Sequence, residues 1–238
     1  MPERRDALLP IDGPLLAALA VGSVIAAVAP FDLAFDALTR GSSLGRALAL
    51  PVIGLIGLVA ARRVGLGFGA KNLKHPVAAP VLVAVLVALA VAAVDGIPCR
   101  GLLSANYVQI FSAIGLGSRL LYFMPRAFNE NLIYRWCVMS TLIWMIGVLW
   151  YDADHRPTAG AHWTGIVLAQ VINISINVVA TSNGPITSGV LLYDGIRYIV
   201  PGVIWGYLYW RHGFVAAEIA SVGTHPFLQP ALGILLAR

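Results

Sequence analysis

The stretch Phe128-Asn129-Glu130-Asn131-Leu132-Ile133-Tyr134-Arg135 decides the fold, because it joins two charged side chains to a long apolar run. The run continues from Trp136 to Trp150 and is typical of a membrane helix. A charge near the centre of a bilayer costs about 2.5–3.5 kcal/mol on insertion scales. We therefore expect Glu130 and Arg135 either to lie at the membrane interface or to face a polar cavity inside a helix bundle.

The spacing within this stretch separates its charges. Glu130 and Arg135 are five positions apart, so they point in different directions on a straight α-helix. Glu130 and Tyr134 are four positions apart and share a face. Two interpretations remain open: Arg135 extends to the lipid headgroups, or Glu130 faces a cavity.

The composition indicates an integral membrane protein. Of 238 residues, 59% are hydrophobic and 11% are charged, whereas soluble domains average about 25% charged residues. The apolar runs are too continuous for barrel strands, which alternate with a period of two. We predict an all-α polytopic bundle with about seven to eight transmembrane helices. The net charge of +5 belongs to short flanking loops, so the expected partners are the lipid bilayer and a membrane protein or peptide, and not nucleic acid.

The apolar runs predict the following spans: about 14–31, 47–61, 77–94, 129–150, 161–180, 188–210, and a last one that begins at Phe214. The polar segment 102–123 is either a further span or an interfacial helix, and Pro125 is expected to end it. His225-Pro226 is expected to disturb the last helix. We assign 1–124 to N-terminal helices with an interfacial segment and 125–238 to the core helices of one membrane domain.

Basic residues predict the orientation of the chain. Arg4 and Arg5 precede the first span, and Arg62, Arg63 and Lys71 follow the second. By the positive-inside rule both segments are cytoplasmic. We expect a cytoplasmic N-terminus and a location in the bacterial inner membrane.

Three predicted helices carry a polar face. The residues are Glu130, Asn131, Tyr134 and Arg135 in the fourth span, Gln170, Asn173 and Asn177 in the fifth, and Glu218, Ser221 and His225 in the seventh. Packing would bring these faces together and satisfy their hydrogen bonds away from lipid. The alternative is that they only hold helices together, although such bonds average only about 0.6 kcal/mol. In the sixth span, Asp194 and Arg197 can pair at i, i+3.

Two motifs carry a resemblance to a known family. Glu130-Asn131-x-x-x-Arg135 resembles the EExxxR motif of the CPBP intramembrane proteases, which include CAAX-processing endopeptidases and bacteriocin-processing relatives. The stretch from Pro201 to Glu218, with Gly202, Gly206 and Gly213, is similar to the sixth-helix signature of that family. The resemblance covers about 125–230.

The resemblance implies hydrolysis of a membrane-associated peptide or protein by water that a glutamate activates. It implies catalytic roles for Glu130 and Arg135, which match the motif. It also implies such roles for Asn173, Ser221 and His225, which stand at the FxxxH and HxxxN/D positions. Asn131 replaces the second acid of the family, Asn173 replaces one His, and Ser221 replaces the other.

The resemblance leaves cofactors unassigned. Only Glu130, Glu218 and His225 could ligate a metal, and zinc usually takes four ligands. An inactive family member that serves as a membrane scaffold or assembly subunit is the alternative function. A proton-linked carrier that uses Glu218 and His225 as a relay is a third, although the chain has no inverted repeat.

Overall fold

The computed structural model describes residues 13–31, 33, 36–39, 41–176 and 187–236. Asn177 of the predicted polar face and the end of the fifth predicted span lie outside these residues. Within them the chain is helical and contains no β-strand, only an isolated bridge between Tyr151 and Pro157. The prediction of an all-α fold is therefore confirmed.

The helices overlap the predicted spans, with different bounds in the middle of the chain. They are α1 Gly13–Val28, α2 Asp36–Thr39, α3 Ser43–Arg63, α4 Ala78–Gly96, α5 Ala105–Ala113, α6 Leu116–Glu130, α7 Ser140–Gly147, α8 Ala159–Ile174, α9 Ser188–Asp194, α10 Val200–His212 and α11 Phe214–Leu236. Two π-helical segments, Asn131–Met139 and Gly195–Ile199, join α6 to α7 and α9 to α10, and Arg100–Leu102 forms a short 3₁₀ turn.

Three helices, α3, α4 and α11, are long and apolar enough to cross a membrane among the residues described. The shorter α1 is also apolar. These lengths fit the roughly 20 residues that a bilayer core requires. The chain therefore has the features of a helical membrane protein.

Prolines do not end helices where the sequence predicted. Pro125 lies inside α6, and the helix that was expected to begin near Asn129 begins at Leu116. Pro226 likewise lies inside an uninterrupted α11. Neighbouring helices tolerate such prolines in membrane bundles, because local adjustments satisfy the freed backbone carbonyls. The break in the segment 102–123 falls instead at Ile114 and Gly115, between α5 and α6.

The core joins the two halves of the chain. The buried Trp136 donates its indole N–H to the carbonyl oxygen of Gly54 in α3 at 2.9 Å. Its ring packs edge-on against Phe68 and Phe214, with centroids 5.3 and 5.6 Å away. A second contact runs between α4 and α11. The N-terminal helices α3 and α4 thus pack directly against the C-terminal part of the chain.

The loop after α3 docks on the turn between α10 and α11. Phe214 donates its backbone N–H to Gly67 at 3.0 Å, and Lys71 donates to His212 at 2.8 Å. Gly213 forms the turn with φ of 89°, and a side chain there would overlap the carbonyl oxygen of Gly69. Glycine is required at this position for both reasons.

Candidate functional site

A cavity of about 740 Å³ lies between α4, α5, α6, the first π segment, α8, α10 and α11. We call it the site cavity. All the site residues predicted from the sequence line it, namely Glu130, Arg135, Asn173, Ser221 and His225. The structure therefore brings together side chains from helices far apart in sequence, while the chemistry assigned to them remains a prediction.

The π segment explains why Glu130 and Arg135 reach the same cavity. A π-helix hydrogen-bonds residues five apart rather than four, so its wider turn brings positions 130 and 135 closer to one face. Tyr134, which a straight helix would place beside Glu130, is instead buried in the main core. The expectation from a straight α-helix was wrong because it assumed the ordinary turn.

Glu130 forms its ion pair with Arg126, one turn earlier on α6. The distance from Nε to Oε1 is 2.8 Å, and both side chains are about a quarter exposed (27% and 26%). Arg126 also lines the site cavity. The sequence analysis missed Arg126, although its i, i+4 spacing to Glu130 was a usable signal.

Arg135 is held by the amide of Gln170. Its Nη2 donates to Oε1 of Gln170 at 3.3 Å, and Nε2 of Gln170 donates to the carbonyl oxygen of Tyr198 at 3.1 Å. A side chain at Gly202 would overlap the Gln170 amide. Gly202 thus lets α10 approach α8 closely enough for Gln170 to bridge Arg135 and the π segment that precedes α10.

Glu218 lies behind the cavity wall. Its carboxylate oxygens are buried and face the Asn131 amide and the Arg135 guanidinium. Neither oxygen reaches strict hydrogen-bond geometry with a described residue. Of the polar face predicted on α11, Ser221 and His225 line the cavity, whereas Glu218 does not.

His225 stacks on an aromatic ring of α6. Its centroid is 5.8 Å from that of Phe123, with the planes 14° apart. Its Nδ1 is buried and has no hydrogen-bond partner among the described residues. The residue also lines the site cavity, next to Ser221 and Thr224 of the same helix.

A second polar cluster adjoins the cavity at α4. Asp95 is fully buried, with 0% exposure, and Arg197 pairs with it at 3.1 Å. Tyr193 donates its hydroxyl to Asp95 at 2.8 Å. The pairing of Arg197 with Asp194 that the sequence suggested is not the ion pair that forms. Arg197 pairs with Asp95 instead, because a fully buried carboxylate requires a counter-charge.

The described residues do not bring a set of metal ligands together. No group of three or more His, Cys, Asp or Glu side chains close enough to hold an ion occurs in the described part of the chain. Glu130, Glu218 and His225 therefore do not form a ligand set, and a zinc site would need about four ligands.

No family model, curated protein or solved structure matches this chain.

Proposed function

We propose that the protein is a divergent intramembrane endopeptidase of the CPBP type that cleaves a membrane-associated peptide or protein. The observation that carries the proposal is that Glu130, Arg135, Asn173, Ser221 and His225 all line one cavity. Helix-packing bonds alone would not require a cavity of this size, whereas a substrate site would.

The proposed chemistry uses Glu130 as general base. As water attacks the peptide carbonyl carbon, Glu130 takes one of its protons, and the carbonyl oxygen becomes an oxyanion. The Asn173 amide and the Ser221 hydroxyl are donors suited to that oxyanion. The C–N bond then breaks, and the amine leaves with the proton that Glu130 returns.

Arg126, Arg135 and His225 have supporting roles in this proposal. Arg126 holds the Glu130 carboxylate in place through the 2.8 Å ion pair. Arg135 is a positioning residue that holds Gln170. His225, which lines the cavity, orients the attacking water.

The proposal includes seven membrane crossings. They are α1, α3, α4, the α6–α7 run, α8, the α9–α10 run and α11. Loop contacts support this arrangement. The loop after α3 hydrogen-bonds the α10–α11 turn, and Arg63 shares a surface pocket with Tyr151 and His155. We call this side, with Arg62, Arg63, Lys71, Arg211 and His212, the basic face.

The opposite ends of the helices also meet. Arg100, just after α4, donates to the carbonyl oxygen of Leu235 near the end of α11 at 3.3 Å. Each crossing then alternates in direction, with α5 on the far side. The positive-inside rule makes the basic face cytoplasmic, which gives a cytoplasmic N-terminus in a bacterial inner membrane.

The test is peptide hydrolysis by the purified full chain in liposomes. The probes are a fluorogenic peptide with a lipidated C-terminal cysteine and a transmembrane peptide. We expect cleavage by the native protein and by Arg211→Gln, which alters the exposed basic face, and loss of at least about a hundredfold in Glu130→Gln. Cleavage by Glu130→Gln at the native rate would contradict the proposal.

A scaffold without hydrolysis is the second candidate. It is favoured by the ion pair that occupies Glu130 and by Asn131 and Asn173, which replace an acid and a His of the family motif. It predicts a membrane partner that co-purifies equally with the native protein and with Glu130→Gln. The partner should remain uncleaved, at its full length, in cells that express either protein.

A further inference from the structure

The site cavity contains a buried arginine that pairs with no acidic side chain among the residues described. Arg119 of α6 lines the cavity and is only 5% exposed. Its Nε and Nη1 are buried without a hydrogen-bond partner, and no ion pair forms with it among the described residues. The guanidinium makes a cation–π contact with Phe111, with Cζ 4.7 Å from the ring centroid.

This arrangement is unfavourable without an anion. A buried charge is normally paired, because the loss of hydration otherwise exceeds what the surroundings return. Phe111 offers the guanidinium a negative ring face but no acceptor for its N–H groups. Gly233 of α11 leaves room at the same spot, since a Cβ there would lie 3.0 Å from Nη2 of Arg119.

The first turn of α6 adds to the need for an anion. Arg119 lies in that turn, where the helix dipole is positive and disfavours a cation. The N-cap, Gly115, supplies no side-chain acceptor to the first amides of the helix. Ser118, in the same turn, also lines the cavity. Uncapped helix amides, a hydroxyl and an arginine fork together suit a phosphate.

The cavity that Arg119 lines also has an apolar surface. Aliphatic side chains of α4, α5, the link after α5 and α11 contribute to it, namely Val87, Val91, Ile110, Ile114 and Leu228. A free phosphate would leave this surface unused, whereas a hydrocarbon chain would cover it. The volume of about 740 Å³ is within the range of about 300–1,000 Å³ for small-molecule sites.

We propose that the site cavity binds a phosphate-bearing amphiphile, with its phosphate on Arg119 and the first turn of α6 and its chain on the aliphatic wall. In the seven-crossing arrangement Arg119 lies near the end of α11 away from the basic face, at the level of lipid headgroups. Phosphate binding itself requires neither that topology nor peptide hydrolysis.

The experiment is calorimetric titration of the purified full chain in neutral maltoside micelles. The probes are dodecyl phosphate and inorganic phosphate, and the detergent already supplies a neutral amphiphile. We expect saturable binding of dodecyl phosphate and much weaker binding of inorganic phosphate. Arg119→Gln should weaken dodecyl phosphate binding by about ten- to a hundredfold, because it removes a charge-assisted contact.

Two variants control this result. Arg119→Lys keeps the charge but loses the bidentate fork, so its affinity should lie between those of the native protein and Arg119→Gln. Arg211→Gln, on the exposed basic face, should bind as the native protein does. Circular dichroism confirms folding, which we expect Arg119→Gln to retain because it removes an uncompensated buried charge.

Three outcomes would overturn the proposal. Native affinity in Arg119→Gln would mean that Arg119 does not hold the phosphate. Equal affinity for inorganic phosphate would mean that the aliphatic wall does not contribute. No binding of dodecyl phosphate above the detergent background would exclude the site. Binding is measured without a peptide, so these outcomes are separate from failure of the hydrolysis assay.

Discussion

At the residue scale, the position of the Glu130 carboxylate depends on its ion pair with Arg126. The two side chains lie on one face of α6, paired at 2.8 Å, and are about a quarter exposed (27% and 26%). Such a pair lies between the exposed ion pairs that contribute little and the buried ones whose single removal is costly. The pair therefore fixes the position of the carboxylate with a modest gain in stability.

This view predicts the result of a double-mutant cycle. Arg126→Gln and Glu130→Gln should each destabilise the protein, and the coupling between them should be about 0.5–1 kcal/mol. The measurement is unfolding in mixed micelles, with Arg211→Gln in place of Arg126→Gln as the control cycle. Effects that simply add in the Arg126 cycle would show that the ion pair does not form in the membrane.

The sequence predicted the residues on the cavity wall better than their partners. Asn173, Ser221 and His225 were found because helical spacing puts polar groups on one face, and lipid does not satisfy them. Arg119 was not singled out, because an arginine in a segment of mixed polarity is equally expected at a headgroup interface. Burial of its guanidinium is a property of α5 and α11 packing around it, which the local sequence does not encode.

At the element scale, the α10–α11 turn fixes the position of the helix that carries Ser221 and His225. Gly213 combines a φ of 89° with a backbone approach to Gly69 that leaves no room for a Cβ. Gly65, in the docking loop, also has a positive φ, 73°, but nothing lies within 4 Å of its Cβ position. A substitution at Gly65 would therefore introduce backbone strain alone, whereas one at Gly213 would introduce both backbone strain and steric overlap.

We predict that Gly65→Ala costs about 1 kcal/mol, from the positive φ alone. Gly213→Ala should cost at least about 1–3 kcal/mol more, because the added methyl also displaces the loop. The same unfolding assay in micelles measures both. Equal losses in the two variants would contradict the observed docking of the loop on the turn.

Helix boundaries were the least predictable elements. The sequence rules treat Pro125 and Pro226 as breaks, yet both lie within helices because surrounding helices stabilise the interrupted turns. The π segment Asn131–Met139 has no signal in the apolar periodicity. It nevertheless decides which side chains reach the cavity, since it aligns Glu130 with Arg135 and turns Tyr134 into the core.

At the scale of the whole molecule, the account predicts which loops share a side of the membrane. In a background without Cys99 and Cys137, we expect Lys71→Cys and Asp154→Cys to react with an impermeant thiol reagent only from the cytoplasmic side. Gly101→Cys, after α4, should react only from the opposite side. Labelling of positions 71 and 101 from the same side would contradict the seven-crossing arrangement.

The sequence could not predict which buried charges, far apart in the chain, pair with each other. Asp95 and Arg197 are more than a hundred positions apart, and Tyr193 joins them. The sequence showed that each charge needs a partner, but only the folded chain brings the end of α4 within reach of Tyr193 and Arg197. The predicted fold class depended on composition and run length, which are local, and was therefore accessible.

The most direct test of the account is the accessibility of the site cavity to water. Ser221 on the cavity wall and Ser140 in the core are both buried, at 8% and 0% exposure, and Ser140 is hydrogen-bonded to Tyr209 at 2.8 Å. In the cysteine-free background, we predict that Ser221→Cys reacts with a small charged thiol reagent at least about tenfold faster than Ser140→Cys. Equal, slow reaction at both positions would show that the predicted site residues do not share a water-accessible cavity, and would contradict the proposed hydrolysis.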